Sequence, residues 1–412
     1  MRIWIPIRIT LAHGVRGGME RQADTLARGL AGRGHTVTVV TTAHPDGRLS
    51  DEDRGVETLY VPRTTWRKYQ PAWWQASYDL LRARHAQQPY DILLSQSAGG
   101  LGYLAEARQA LGLPSVVILH GSSRREVLTA WHGARSPRGL YRLLRLTWRI
   151  PPLWTRWRRV QPYVAHWIAV SPTIGRESQR EIGFPPDRLT VVPNGVDVAR
   201  LRPDPAAGAR LRQRLQLPPD AQIVVMASRL EMEKGVQVAL DALARLRTAH
   251  PHLYLLVAGA GVYASTLERR AEVLGLHGHT RFLGYVPHAD LPALLAGADL
   301  FVMATLGPEG LPMSVLEAEA SGLPVVVSDV PGASSALLPG QTGVLFPAGD
   351  AAALAGRLAG LLADPTRRRV MGALGRALAE RRFSVEAMVT GTEAILEQVT
   401  HVQPLPRPPH LS

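Results

Sequence analysis

Apolar positions fall into two alternating kinds of segment along the chain. Short apolar runs at 3–9, 37–41, 91–95 and 115–119 have the length and composition of buried strands. Between them the spacing lengthens to that of a helix: Ala23, Leu26, Ala27 and Leu30 fall at i, i+3, i+4 and i+7, and Gly32 and Gly34 follow as stop signals. Strand character returns at 167–170 and 189–192. A polar, proline-rich stretch at 200–205 then reads as a linker. Beyond it the alternation restarts, with strands at 223–227, 253–257, 281–283, 300–303 and 324–328. Val236, Ala239, Leu240, Leu243 and Leu246 mark a helix after the first of these. Strands alternating with helices predict parallel sheets covered on both faces, so the pattern implies two doubly wound α/β domains in tandem.

The expected boundaries are 1–200 for the first domain and 201–385 for the second. A C-terminal helix at 386–402 is expected to pack back on the first domain, and a disordered tail covers 403–412, where four prolines fall. No run reaches the ~18 apolar residues of a membrane span. The best stretch, 289–306, carries Asp290 and Asp299. The opening run is short and contains Arg8, so it reads as a strand and not as a leader.

Composition excludes several chemistries. The 412 residues are 46% hydrophobic and 20% charged, which is ordinary for a globular chain and unlike disorder or coiled coil. There is no cysteine, hence no disulfide, thiolate metal site or thiol nucleophile. Lys+Arg number 47 and Asp+Glu 34, a net charge of +13, and only Lys68 and Lys234 are lysine. The charge is uneven. Between Glu126 and Glu177 no acid occurs, while nine arginines do: Arg135, Arg138, Arg142, Arg145, Arg149, Arg156, Arg158, Arg159 and Arg176. Eight of the nine tryptophans lie between Trp66 and Trp167. This basic, aromatic insertion at about 131–167 suits an anionic lipid surface, with Leu140, Leu143, Leu144, Thr147 and Trp148 on one helix face. It equally suits a packed insertion whose arginines face water. No nucleic-acid motif accompanies it, so no nucleic-acid partner is expected.

Open α/β sheets bind ligands beyond the carboxyl ends of their strands. Four segments stand there. Arg229 and Lys234 lie between strand 223–227 and the next helix, a position suited to a diphosphate, though also to a solvated basic loop. Glu309 lies in the Gly/Pro loop after strand 300–303. Glu317 lies about one turn into the helix that the N–H groups of the Gly310 to Met313 stretch open. Sugar hydroxyls suit such carboxylates, and so does a plain helix-start acid pair. Gly17-Gly18 follows the first strand and allows a ligand close to the backbone, or simply a tight turn. His120 ends strand 115–119 and can reach a cleft, or serve as a structural hydrogen-bonder. Asp51-Glu52-Asp53 reads as a solvated loop, and no metal site is expected.

Taken together these segments resemble glycosyltransferase family 4. The resemblance runs over roughly 3–396. It rests first on the E-x7-E pair Glu309 and Glu317, in Pro308-Glu309-Gly310-Leu311-Pro312…Leu316-Glu317-Ala318. The order of Gly17-Gly18-Met19-Glu20-Arg21, Val192-Pro193-Asn194-Gly195-Val196-Asp197, Arg229…Lys234-Gly235, Val257-Ala258-Gly259-Ala260-Gly261 and Phe282-Leu283-Gly284-Tyr285-Val286 supports it. The resemblance implies the GT-B fold, two Rossmann-like domains facing a central cleft, with acceptor bound by the first and nucleotide sugar by the second. It implies retaining transfer of a sugar from a nucleotide diphosphate to an acceptor glycan or lipid, without a cofactor or metal; a same-face attack is the family's usual proposal.

By this resemblance Arg229 and Lys234 take the donor diphosphate, Glu309 the sugar hydroxyls and Glu317 the ribose. Backbone at Tyr285 and Val286 meets the base. N–H groups near Gly310, Leu311 and Met313 face sugar and phosphate. His120 approaches the sugar, and the Gly17-Gly18 loop closes over the phosphates. Many relatives read Glu-Gly-Phe-Gly where this chain has Glu309-Gly310-Leu311-Pro312, which implies a different sugar pocket. A cytoplasmic protein, peripheral on the inner face of the cell membrane, is the expected location. The competing expectations are a sugar-nucleotide epimerase of the same fold and a non-catalytic protein that binds membrane surfaces or polyanions.

Overall fold

The computed structural model describes residues 1–14, 17–66, 68–123, 125, 127 and 137–401, with backbone only for 137–140, 142, 143 and 149. The expected tail at 403–412 and the start of the expected insertion, with Trp131 and Arg135, lie outside the described residues. The chain forms two compact units. One comprises 1–124, 145–195 and 385–412; the other comprises 125–144 and 196–384. The helix Pro137–Val160 is thus shared between the two units, whereas the sequence boundaries put the whole insertion in the first.

The first unit is built on an eight-stranded sheet: β1 (Arg2–Pro6), β2 (Thr36–Thr42), β3 (Ser50–Asp53), β4 (Val56–Val61), β5 (Ile92–Gln96), β6 (Ser115–Leu119), β7 (His166–Ala169) and β8 (Leu189–Val191). Their order is β3-β4-β2-β1-β5-β6-β7-β8, and every pairing is parallel except β3 with β4. The central strands are buried on both faces, which is why they read as unbroken apolar runs. One expectation is corrected here. Asp51-Glu52-Asp53 is not a loop but the body of β3, whose acids stand on the sheet's outer edge. Charged side chains on an edge strand discourage further strand addition, and this is a common device at sheet margins. The helix Val385–His401 belongs to this unit. It packs on the helix Gly18–Gly32, where Gln22 Nε2 donates to Met388 Sδ at 3.6 Å and Arg33 reaches both Glu386 and Glu393.

The second unit holds a six-stranded, wholly parallel sheet: β9 (Gln222–Ala227), β10 (Leu253–Ala258), β11 (Thr280–Gly284), β12 (Leu300–Met303), β13 (Val325–Asp329) and β14 (Gly343–Pro347). The order β11-β10-β9-β12-β13-β14 reverses direction of growth between β9 and β12. Ligands bind beyond the strand ends at such a switch point. The core joins both sides of it: Val224 and Met226 of β9, Leu255 and Val257 of β10 and Val302 of β12 pack against Leu240, Leu243 and Leu358. Each fully buried aliphatic side chain there contributes about 1.5–3 kcal/mol of transfer free energy, so the strand ends sit on a rigid base.

Tryptophans of the basic region divide between core and surface. Trp167 stacks on Phe184 with ring centroids 4.5 Å apart and meets Trp157 edge-on at 5.5 Å; both tryptophans are buried. Trp73 and Trp74 are also core. Buried from solvent, these four present no ring to a surface. Trp148 is different: it is 82% exposed, with Tyr141 at 66% and Leu144 at 54%, spaced at i, i+3 and i+7 along one side of the helix. Leu144 and Thr147 accordingly stand in solvent, as the sequence face implies; Leu140 and Leu143 lie outside the described side chains.

Candidate donor-binding site

In the second unit the loop after β9 is held from two sides. Ser228 N–H donates to Ala258 O at 3.0 Å and Leu230 N–H to Ala260 O at 3.0 Å, tying Arg229 to the end of β10. Gly235 then turns the chain into the helix Val236–Leu246 with φ of 70°. A side chain there would strike Ala304 O, so only glycine lets the loop meet the end of β12. The β12 loop returns the contact, with Leu306 N–H donating to Glu233 O at 2.8 Å and Thr305 Oγ1 to the same oxygen at 3.1 Å. Glu309 N–H donates to Pro331 O at 3.0 Å, and Gly332, at φ of 90°, lets that turn press against Glu309 O.

This scaffold brings two of the expected residues together. Lys234 Nζ lies 2.7 Å from Glu309 Oε1, both side chains about four-fifths buried. Arg229, in contrast, pairs with Glu231, and its side chain is 64% exposed. Burial, with a hydrogen bond to Glu233, pushes the Glu231 carboxyl above its ordinary range despite Arg229. Each cation therefore has a carboxylate partner, and a diphosphate would have to displace it. Such an exchange trades one charge-assisted hydrogen bond for another, and the released carboxylate needs a new partner.

The helix Met313–Ala320 starts three residues after Gly310, with no side chain capping it. Its N-terminus sits beside Leu311, which is buried, and Met313, which is half-buried. Glu317 follows on the buried side, its Oε1 3.2 Å from His288 Nε2. Tyr285 and Val286 precede His288 in the loop after β11, where Gly284 O accepts from Gly259 N–H at 2.7 Å. Four residues that sequence reasoning did not single out belong to this neighbourhood. His288 and Arg200 stand behind Glu317. Arg125, buried, donates to Glu309 O and, at 3.0 Å, to Pro331 O. Glu319, fully buried, accepts from Thr342 Oγ1 at 2.6 Å, and its Oε2 has no hydrogen-bond partner. None has a motif signal, because each contact joins positions 23 to 206 residues apart.

The remaining expected residues lie in the first unit. His120 stands just past β6, with Nε2 2.8 Å from Gln96 Oε1. The amide oxygen only accepts, so Nε2 carries the ring hydrogen and Nδ1 remains an acceptor. Burial pushes its pKa down to about 4, which keeps the ring neutral at neutral pH. Gly17 precedes the helix Gly18–Gly32 as its N-cap, and a Cβ there would strike the Glu20 carboxylate. Residues 15 and 16 of that loop lie outside the described residues. Among the described residues no group of three or more His, Asp or Glu is placed to hold a metal ion, and no helix is long and apolar enough to cross a membrane.

Comparison with known proteins adds to this geometry. The family described as Glycosyltransferase Family 4 matches residues 16–200, and the one described as Glycosyl transferases group 1 matches residues 209–377. A GDP-mannose-dependent alpha-(1-6)-phosphatidylinositol monomannoside mannosyltransferase of Mycolicibacterium smegmatis is 41% identical over 198 residues. That match spans 47% of this chain and about half, 52%, of the relative's length. A phosphatidyl-myo-inositol mannosyltransferase of Mycobacterium leprae is 28% identical over 380 residues, covering 90% of this chain and 91% of its own. Among solved structures, sucrose-phosphate synthase of Thermosynechococcus elongatus superposes with a TM-score of 0.78 at 21% identity, over 96% of this chain and 98% of its own, a likeness of fold. None of these three is an epimerase, and that alternative is not carried further.

Proposed function

Because this chain belongs to glycosyltransferase family 4, a family of hexosyltransferases with the GT-B fold, we propose that it transfers a hexose from a nucleotide diphosphate sugar to an acceptor. The observation that carries this reading is the Lys234–Glu309 pair at the switch point of the second sheet. On this reading the cation meets the departing diphosphate and the carboxylate meets the sugar hydroxyls. In the transfer, the bond from the sugar's anomeric carbon to the diphosphate oxygen breaks as the acceptor hydroxyl bonds to that carbon. The hydroxyl proton passes to the departing phosphate oxygen, and attack from the leaving-group face retains configuration. Lys234 and Arg229, together with the N-terminus of the helix Met313–Ala320, stabilise the charge that develops on the diphosphate. On this reading the two cations do this without a metal. Glu309 orients the sugar, Glu317 holds the ribose, and the loop at Tyr285 and Val286 receives the base. In the first unit, neutral His120 offers Nδ1 as an acceptor to a sugar hydroxyl, and Gly17-Gly18 approaches the phosphates.

The relatives' names suggest the substrates to try first: GDP-mannose as donor and a phosphatidylinositol-based glycolipid as acceptor. We propose a lipid acceptor reached from the membrane surface, with the protein peripheral to the cytoplasmic face. The exposed side of the helix Pro137–Val160 supports this, as Tyr141, Leu144 and Trp148 stand among exposed Arg145, Arg156 and Arg159. Incubating the protein with labelled GDP-mannose, UDP-glucose or ADP-glucose and vesicles containing phosphatidylinositol glycolipid is the test. Label in the lipid fraction, with release of nucleoside diphosphate, is the expected result. Nucleotide sugars left intact by the protein under every acceptor would overturn the transferase reading.

A further inference from the structure

Glu317 is held from behind. Its side chain is 10% exposed, and Oε1 meets His288 Nε2 at 3.2 Å. Arg200 Nη2 meets Nδ1 of the same imidazole, lies 3.4 Å from Nε2, and donates to His288 O at 2.9 Å. A guanidinium has no acceptor, so His288 Nδ1 must accept. The ring hydrogen then belongs to Nε2, and it points at the Glu317 carboxylate. The Arg200 backbone is held in turn, since Asp197 Oδ1 accepts from the Arg200 main-chain N–H at 3.0 Å. The three residues come from the start of the second unit, the β11 loop and the helix Met313–Ala320, so the chain Arg200, His288, Glu317 crosses three separate segments.

We propose that Arg200 and His288 are positioning residues that lock one oxygen of Glu317, leave the other for the ribose hydroxyls, and so set the site's preference for ribonucleotides. This rests on the reading of Glu317 as the ribose residue. A glutamate carboxylate has three side-chain torsions to order, and a hydrogen bond from a ring itself held by Arg200 removes most of that freedom before a nucleotide arrives. His288 lies three residues after Tyr285, so the loop that receives the base also carries the group that orients the ribose contact. Binding of the base and hold on the ribose are thereby coupled within one loop.

The experiment compares two ligands that differ only in the ribose hydroxyls. The best binder among GDP, UDP and ADP is titrated by calorimetry alongside its 2′,3′-dideoxy analogue. The proteins are wild type, Glu317→Ala, His288→Ala, His288→Gln and Arg200→Ala, each first checked by its melting temperature. Wild type should prefer the ribonucleotide by at least tenfold, and Glu317→Ala should abolish the preference. His288→Ala should cut the preference several-fold while leaving the dideoxy ligand's affinity unchanged. His288→Gln, which keeps an N–H donor, should restore most of it, and Arg200→Ala should fall between. Added to Glu317→Ala, His288→Ala should have no further effect. Equal weakening of both ligands by His288→Ala marks a merely structural residue and overturns the proposal, as does a preference that His288→Ala leaves intact. If Glu317→Ala itself leaves the preference intact, or none of the three diphosphates binds, the ribose reading fails first and the proposal with it.

Discussion

Lys234 and Glu309, 75 residues apart in the chain, hold their charged atoms 2.7 Å apart at the joined ends of β9 and β12. The cation assigned to the diphosphate is thus already neutralised by the carboxylate assigned to the sugar. On the proposed roles, both change partner when a nucleotide sugar enters. Diphosphate binding and sugar placement are therefore linked through one hydrogen bond.

That linkage separates two effects of Glu309→Gln. The variant removes the charge that competes for Lys234, so free nucleoside diphosphate should bind as tightly as to wild type or several-fold tighter. Transfer should fall by about one to two orders of magnitude, since loss of a hydrogen bond to a charged group costs roughly 1.5–3 kcal/mol. Calorimetry and a turnover assay on the same preparation check both. Parallel loss of binding and turnover would contradict the division of roles.

Glu319 gives a prediction about stability. Burial pushes its pKa from 4.5 up to about 8, against the hydrogen bond from Thr342. The folded state then holds a proton that the unfolded chain releases above pH 4.5. Stability from this group is complete below pH 4.5 and is lost as pH rises towards 8, by up to about 1.4 kcal/mol per pH unit. Glu319→Gln has no such slope. Its melting temperature relative to wild type should rise between pH 5 and pH 8.5, and a constant difference across that range would show that the carboxyl is not buried as a neutral acid.

The exposed apolar side chains of the helix Pro137–Val160 can be tested apart from the core ones. Replacing Tyr141, Leu144 and Trp148 by serine should release the protein from vesicles containing anionic lipid, with little change in melting temperature, because all three are exposed. Binding by wild type should fall steeply with salt, as electrostatic attraction fades within a Debye length of ~10 Å at 0.1 M. Replacing Trp157 should instead destabilise the fold by about 3–5 kcal/mol. Vesicle flotation decides the matter: if wild type does not float at low salt, the helix face has another role.

Much of the architecture was legible because parallel strands are buried on both faces and leave continuous apolar runs. β6 matches its run at 115–119 and β12 its run at 300–303, and most others differ by a residue or two. The strands that escaped notice lack that signature. β4 alternates Val56, Leu59 and Val61 with Glu57 and Thr58, β14 is a short run broken by glycine and proline, and β3 is acidic. The site divides in the same way. Lys234, Glu309 and Glu317 were visible as polar residues just beyond strand ends. His288, Arg200 and Arg125 were not, because their meaning lies in contacts across the fold that no local spacing encodes. Sequence likewise could not tell Trp148 from Trp157, since one helix carries both and only packing against Trp167 buries the second.

The central claim is that the second unit binds a nucleoside diphosphate through Lys234. Calorimetric titration of GDP, UDP and ADP into wild type and Lys234→Ala tests it most directly. At least one of the three should bind wild type at a single site. Its dissociation constant should rise at least tenfold in Lys234→Ala, whose folding is checked by melting temperature because the change unpairs Glu309 at the end of the short turn Met232–Lys234. An unchanged dissociation constant in the variant, or no binding of any of the three to wild type, would contradict it.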